Sequence, residues 1–319
     1  MFKSLPTYLL IQFTVIAGLG IASPAIGFAE VFKVPQYNGE ILPINSPIIM
    51  RYRPHHVSKL TAEKRERYVR NGDATNVTTI SDGEVKQISK GSDIEAIYKI
   101  NEIETTANGE SKLEKKNLSM ILRMESTGKF KDLDFVGFDL GKSKDEVLKL
   151  LKPLMKQAFP EFSENGVSVG DVLYDGNSKT QLGSVSFSFS FNGIVQGRSR
   201  FNGRDVLVAT FDGSIQMDLK GFVMEGPIQG YTLMDIDTGA TLLSDGFMRI
   251  KTSDNGESGF SWDTREVKTI KFPPKMVINK SPEKQGLSYR LERVKELLEQ
   301  NLITPQEAKE KRKDILKGL

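Results

Sequence analysis

The chain contains no cysteine. That excludes disulfides, thiolate metal ligands, a cysteine nucleophile and lipid attachment through a thiol. Its 2 histidines, His55 and His56, stand side by side, so an imidazole base has one address only. Net charge is scarce as well. A value of +3 over 319 residues, dispersed along the chain, gives no footprint for nucleic acid. Beyond the amino terminus no apolar run approaches the roughly 20 residues that a transmembrane helix needs.

What is present starts with "MFKSLPTYLLIQFTVIAGLGIASPAIGFAE". One cation, Lys3, precedes an apolar run from Tyr8 to Ala22, then a Ser23-Pro24 break and small residues at Gly27 and Ala29. These are the three regions of a secretory signal, and they predict cleavage after Ala29. A retained anchor is the alternative, disfavoured by the short apolar run. The expected product is a soluble periplasmic protein that is not a lipoprotein.

Behind the signal, residues 30–272 read as a β-rich body. An extended leader, "VFKVPQYNGEILPINSPIIM", precedes two β blocks, about Tyr52 to Phe138 and about Val167 to Phe272. Runs such as "IEAIYKINEIET" and "SIQMDLKGFVME" are separated by "NGD", "SDG", "KGSD" and "DTG", whose Gly and Asn tolerate the positive φ of tight turns. "SVSFSFSF" sets Val185, Phe187, Phe189 and Phe191 on one face and serines on the other. "LTAEKRERYV" suits either a short helix or a strand with solvated charges.

Between the blocks, Ser143 and Glu146 make a capping box for a helix over about 143–158, with Pro153 marking a kink. Residues 273–287 are Pro/Lys-rich and read as a linker. The expected fold class is α+β. Mainly antiparallel β, as a curved sheet, half-barrel or sandwich, carries one covering helix and ends in a C-terminal helical hairpin. Whether the two β blocks share one sheet is open.

Candidate chemistry is thin. "GVSVG" around Ser168 matches G-x-S-x-G, but a loop precedes it, a strand follows it, and no histidine lies after it. A nucleophile elbow needs the reverse context. Adjacent His55 and His56 on a strand would point to opposite faces and could not share a metal ion. Asp235, Asp237 and Gly239 lack the third acidic position of a calcium loop and read as a turn. No catalytic residue, metal site or cofactor is expected.

Residues 288–319 change to helical period. Leu291, Val294 and Leu298 form one stripe, Asn301 stands at the helix stop, and Leu302 and Ile303 lie in the turn. Thr304, Pro305 and Glu307 then supply a cap, a first-turn proline and a capping box. Ile315 and Leu316 are the apolar contacts of the second helix. These seven apolar residues are the expected interaction face.

The stretch "LERVKELLEQNLITPQEAKEKRKDIL" resembles the short C-terminal domain known as SHOCT, with Asn301 and Ala308 departing from that family's usual Gly and aromatic. The resemblance implies a small interaction or oligomerisation module without catalysis. The body, through "YKINEI", "AFPEF", "VSVGDVLY" and "GYTLMDIDTGATLLSDG", resembles exported bacterial β domains of unknown function and, more broadly, the lipoprotein-carrier half-barrels.

The function expected is therefore that of a non-enzymatic exported envelope protein, a binding or scaffold body with a C-terminal module for self-association or a protein partner. A periplasmic carrier of a lipid or other hydrophobic ligand is the alternative, and a hydrolase with an unrecognised site is the third reading. No nucleic acid is expected, and a membrane surface is a minor option for the basic terminal helix.

Overall fold

Alternating β-prone segments, broken by turn-forming Gly and Asn, yield 11 strands joined in one antiparallel sheet. The computed structural model describes residues 32–70, 73–107, 109–137, 159–182, 185–219, 222–252, 260–272 and 304–317, plus isolated positions at 148, 152, 156, 291, 294, 295 and 298. The first block supplies β1 (His55–Arg70), β2 (Asp73–Lys90), β3 (Asp93–Ala107), β4 (Glu110–Glu125) and β5 (Phe130–Val136). The second supplies β6 (Val172–Leu182), β7 (Val185–Phe201), β8 (Arg204–Leu219), β9 (Phe222–Asp235), β10 (Thr241–Thr252) and β11 (Phe260–Lys271). The spatial order is β5-β4-β3-β2-β1-β11-β10-β9-β8-β7-β6. The two blocks thus share one sheet, fused where β1 pairs β11 from Lys59↔Lys271 to Arg70↔Phe260.

This overturns the α+β expectation. The architecture is sheet-dominated, and among the described residues the one complete helix is α1 (Pro305–Lys317). No helical hairpin stands among the described residues, and the covering helix expected over 143–158 falls almost wholly outside them. The error has a physical origin, since helical period in a short window says nothing of how much sheet surrounds it. "LTAEKRERYV", open between helix and strand, lies inside β1, because its charges alternate between faces across a strand paired on both sides.

The sheet is curled. Tyr98 on β3 and Tyr174 on β6 are eight strand spacings apart in sheet order, roughly 40 Å if the sheet were flat. Yet the two buried phenols are close enough for Tyr98 to help push the Tyr174 hydroxyl above its usual value, after burial itself. Lys268 Nζ on β11 likewise sits 5.2 Å from the Tyr98 ring centroid, three spacings away along the sheet. Both contacts require a concave inner face.

Glycines permit close packing on that face. A methyl group on Gly193 would overlap the Tyr174 ring, and one on Gly230 would lie 2.5 Å from Phe211 Cζ. Side-chain-free positions let the rings lie flat along the strands, as curled sheets require.

One end of the curl has a floor. Met50, Tyr52, Phe162 and Val167 are all buried there. Tyr52 N–H donates to Ser126 O at 2.7 Å, Phe162 N–H to Thr127 O at 2.7 Å, and Ile48 bridges Val167. The leader runs to this floor from the outer face. Phe32 packs with Phe247, and Tyr37 rests 5.5 Å from Tyr231. It contributes isolated bridges at Leu42 and Ile48 and no strand.

Elsewhere the outer face is polar. Ser188, Ser190, Asn192, Asp212, Ser214 and Gln216 occupy it along β7 and β8, where alternation and register put Phe189, Phe191 and Ile215 inward. A lipid-facing barrel exterior needs an apolar band, and these described positions of β7 and β8 do not form one. No helix among the described residues is long and apolar enough to cross a membrane.

Candidate functional site

The sheet register stacks the inner face in rows. One row crosses Tyr174, Gly193, Phe211, Gly230, Gly246, Glu266, Lys64 and Thr79 from β6 round to β2. On its β6–β10 side the row is ring and glycine. At the β11/β1 seam it meets charge.

The seam is built from five cross-strand pairs whose side chains all face inward: Leu60↔Ile270, Ala62↔Lys268, Lys64↔Glu266, Glu66↔Thr264 and Tyr68↔Trp262. Period-2 alternation delivers them, since even-numbered positions of both strands share the concave side. The bottom pair is apolar, the top pair is aromatic with ring centroids 5.7 Å apart and nearly parallel, and the three between carry four charges. Lys64 is 1% exposed, Glu66 2%, Lys268 5% and Glu266 7%.

Burial of this kind is tolerable only if the charges are paired and hydrogen-bonded. Glu66 meets that demand. Its Oε1 accepts from Tyr68 OH at 2.8 Å and Trp262 Nε1 at 3.2 Å, and faces Lys64 Nζ at 2.7 Å. The rest of the seam does not. Lys64 Nζ is held by Glu66 and also lies 5.5 Å from the Trp262 ring centroid, but among the described residues Glu266 Oε1 and Thr264 Oγ1 have no hydrogen-bond partner. These two atoms belong to adjoining pairs on one face. Burial pushes the Glu266 carboxyl well above its usual range, against the pull of Lys64 and Lys268. It also draws the Lys268 ammonium down to about 8, against the pull of Glu266. The Tyr68 hydroxyl is raised by burial and then by Glu66.

Apolar side chains adjoin the seam. Met217, Met224, Met248, Ile250 and Trp262 form a buried cluster, flanked by partly buried Tyr68, Ile215, Ile228 and Phe260. Phe189 stacks on Phe191 at 5.7 Å, and Phe191 lies 5.2 Å from Phe211. Phe189 and Phe191 thus share one face, as the alternation predicts. The concave face therefore carries a buried polar seat beside a wide apolar and aromatic field.

The outer face of β8 to β11 holds a different ionic set. Arg265 donates to Asp245 through Nε at 3.0 Å and Nη2 at 2.8 Å. Arg249 does the same to Asp263 at 2.7 and 3.1 Å, and Arg204 to Asp235 at 2.8 and 2.9 Å. Each is a two-pronged pair, the strong geometry for guanidinium and carboxylate. An open depression of about 270 Å³ lies farther along, over Asp175, Asn192 and Asp212, which share one cross-strand row.

The residues singled out from sequence fall as follows. Ser168 is in a loop that precedes β6, its N–H bonded to Asp171 Oδ2, so the elbow geometry is absent. His55 is half-buried at the start of β1. Asp235 and Asp237 belong to the β9–β10 turn, where Asp235 Oδ2 accepts from Thr238 N–H at 3.0 Å and Thr238 Oγ1 at 2.7 Å. Among the described residues no three metal-ligating side chains cluster.

In the unit Phe272–Leu319, Val294 is buried, Leu291, Leu298 and Ile315 are half-buried, and Leu316 is 50% exposed. Ala308 is buried. Leu302, Ile303 and the Ala29 cleavage position lie outside the described residues. The α1 capping box forms reciprocally, Thr304 N–H to Glu307 Oε2 at 2.7 Å and Glu307 N–H to Thr304 Oγ1 at 3.2 Å.

No family model matches the chain, and no curated protein matches it. Among solved structures, one of lipid–protein interactions in lipovitellin aligns at 9% identity and a TM-score of 0.38, over 76% of this chain and 31% of that one. A protein with a YmcC-like fold from Bacteroides fragilis aligns at 11% identity and 0.31, over 70% and 99%. OccK5 from Pseudomonas aeruginosa aligns at 7% identity and 0.26, over 68% and 97%. Likenesses at these TM-scores place the chain in no fold family. Architecture and seam by themselves define a β-rich protein with an amphipathic concave face.

Proposed function

We propose that the protein is a non-enzymatic, exported binding protein of the cell envelope whose curled sheet holds an amphipathic ligand on its concave face. The observation that supports this reading is the inner seam, where among the described residues Glu266 Oε1 and Thr264 Oγ1 lack hydrogen-bond partners beside a field of methionine and aromatic side chains. Polar groups buried without partners cost roughly 1–3 kcal/mol each, a cost that a bound polar head removes. Apolar lining with a few convergent polar groups is the usual make-up of a small-molecule site. Native mass spectrometry of the full chain purified from its host tests the reading. An acyl-bearing or comparably apolar adduct is the expected result, and a clean apo mass across independent preparations overturns it.

The C-terminal unit supports association as a companion role. Its α1 is capped at both partners of the box and leaves Leu316 exposed. Removing residues 288–319 is expected to change the assembly state or partner capture. Unchanged sedimentation and unchanged co-purifying proteins overturn this part alone.

A further inference from the structure

We infer that β6, at one end of the sheet, pairs with β6 of a second copy of this chain about a two-fold axis at Asn177. This pairing uses neither the concave face nor the C-terminal unit. In the strand order β6 is terminal and bonds to β7 alone, so one row of its backbone groups has no ladder partner among the described residues. Such an edge is a template for another strand. Its outward side chains Asp175, Asn177, Lys179 and Gln181 are all exposed.

Charge complementarity identifies the partner. Asp175 faces Asn192 and, beyond it, Asp212, so two carboxylates border the open depression of about 270 Å³, whose described lining holds no lysine or arginine. Lys179 faces Ser188 and, beyond it, Gln216. Asp175, Asp212 and Lys179 have no hydrogen bond or ion pair among the described residues. Within one chain Asp175 and Lys179 are four residues apart, roughly 13 Å along the strand, too far to meet.

Antiparallel pairing centred on Asn177 sets Asp175 opposite the partner's Lys179, and Lys179 opposite the partner's Asp175. A two-fold axis normal to the sheet keeps outer face with outer face, so both charge pairs form on the exposed side. Paired strands lie about 4.8 Å apart, and a lysine stem spans that gap to bring its ammonium over the acidic depression. Neighbouring registers lose the match. Centred on Gly176, Asp175 faces the partner's Asn177, and centred on Ser178 it faces the partner's Gln181. The other sheet end is built against self-pairing. On β5 the outward Asp132 and Asp134 would oppose each other about Leu133, and like charges directly opposite are destabilising.

Because the chain has no cysteine, a single introduced thiol reports the register. In the full-length protein Asn177→Cys is expected to give a covalent dimer with a short bismaleimide. Asp175→Cys, whose two copies would stand roughly 13 Å apart along the paired strands, is expected to give none. Asp175→Lys and Lys179→Asp each set like charges opposite at two places, and each should weaken the dimer at least about tenfold in sedimentation. Mixing the two variants restores it, since each then supplies the charge that the other lacks, and the double variant Asp175→Lys/Lys179→Asp restores it alone. Dimerisation indifferent to both reversals overturns the β6 pairing and leaves association to the C-terminal unit. Loss in both single variants without rescue in the mixture overturns the register. A monomer at every concentration, with equal cross-linking of the two cysteine variants, overturns the pairing outright.

Discussion

The sheet carries two ionic ladders, one on each face, and they are built on opposite rules. Outside, Arg265–Asp245, Arg249–Asp263 and Arg204–Asp235 are forked pairs with two hydrogen bonds each. Guanidinium matches carboxylate in plane and spacing, so each pair closes on itself. Inside, the cations are lysines, compact point charges with no fork, and among the described residues the seam leaves Glu266 Oε1 and Thr264 Oγ1 without hydrogen-bond partners although both residues are more than nine-tenths buried. Well-packed apolar residues in place of a buried ion pair are often neutral or stabilising. Stability therefore accounts more readily for the outer ladder than for the inner one.

The largest effect that can sharpen the contrast lies outside. Asp235 is 1% exposed and satisfies Arg204 twice and Thr238 twice. Asp235→Ala strands a mostly buried guanidinium and two turn donors. Removing one partner of a buried pair costs roughly 3–5 kcal/mol, and a urea midpoint series measures it. A loss well under about 1 kcal/mol would show that the outer ladder is as dispensable as its surface position alone suggests.

Next comes the inner pair Lys268 and Glu266. The double substitution Lys268→Met/Glu266→Leu removes two desolvated groups that oppose each other's pKa shifts. It is expected to leave folding stability unchanged or to raise it by about 1–4 kcal/mol, measured by the same urea series. A double variant destabilised as strongly as Asp235→Ala would erase the distinction between the ladders.

How much of this was legible in the sequence follows from the range of each signal. The "SVSFSFSF" face, the "DTG" turn and the Thr304/Glu307 box are local, and each is found where period or spacing puts it. The seam was missed because its meaning is not local. "TAEKRERYV" offers Ala62, Lys64, Glu66 and Tyr68 at every second position, and "WDTREVKTI" offers Trp262, Thr264, Glu266 and Lys268. Each alone reads as a strand with charges on a wet face. Only the antiparallel pairing of β1 with β11, at opposite ends of the body, sets Lys64 against Glu266. A matching sign pattern read in reverse order is the signal that could have found it. The α+β expectation failed because it weighted two short helical patterns against a sheet whose 11 strands become one only when β1 meets β11. The outer forks were invisible too, because Arg265 reaches Asp245 diagonally and not across its own pair, Phe247.

The smallest predicted effect is the dependence of the inner ladder on pH. Glu266 has its folded pKa raised, so the folded state holds this proton more tightly than the unfolded chain does. Its contribution to stability is complete below the unfolded value of about 4.5 and is lost as pH rises through the folded one. Lys268 is lowered to about 8 from 10.5. Between those values the unfolded chain binds the extra proton, and stability rises with pH across that window. Glu266→Gln keeps the shape and cannot ionise. It should match the parent near pH 4, gain on it toward neutrality, and hold its advantage once the parent carboxyl is forced to ionise. Lys268→Met should show the opposite trend, its advantage largest below about pH 8 and gone above about pH 10.5. The outer arginines, held above their usual value by their aspartates, stay charged throughout and add no slope near neutrality. Thermal midpoints of the parent and the two variants, taken from pH 4 to about pH 10, decide the matter. Parallel curves for all three would mean that the seam is solvated like the outer face, and that its open atoms are filled by water and not by a ligand.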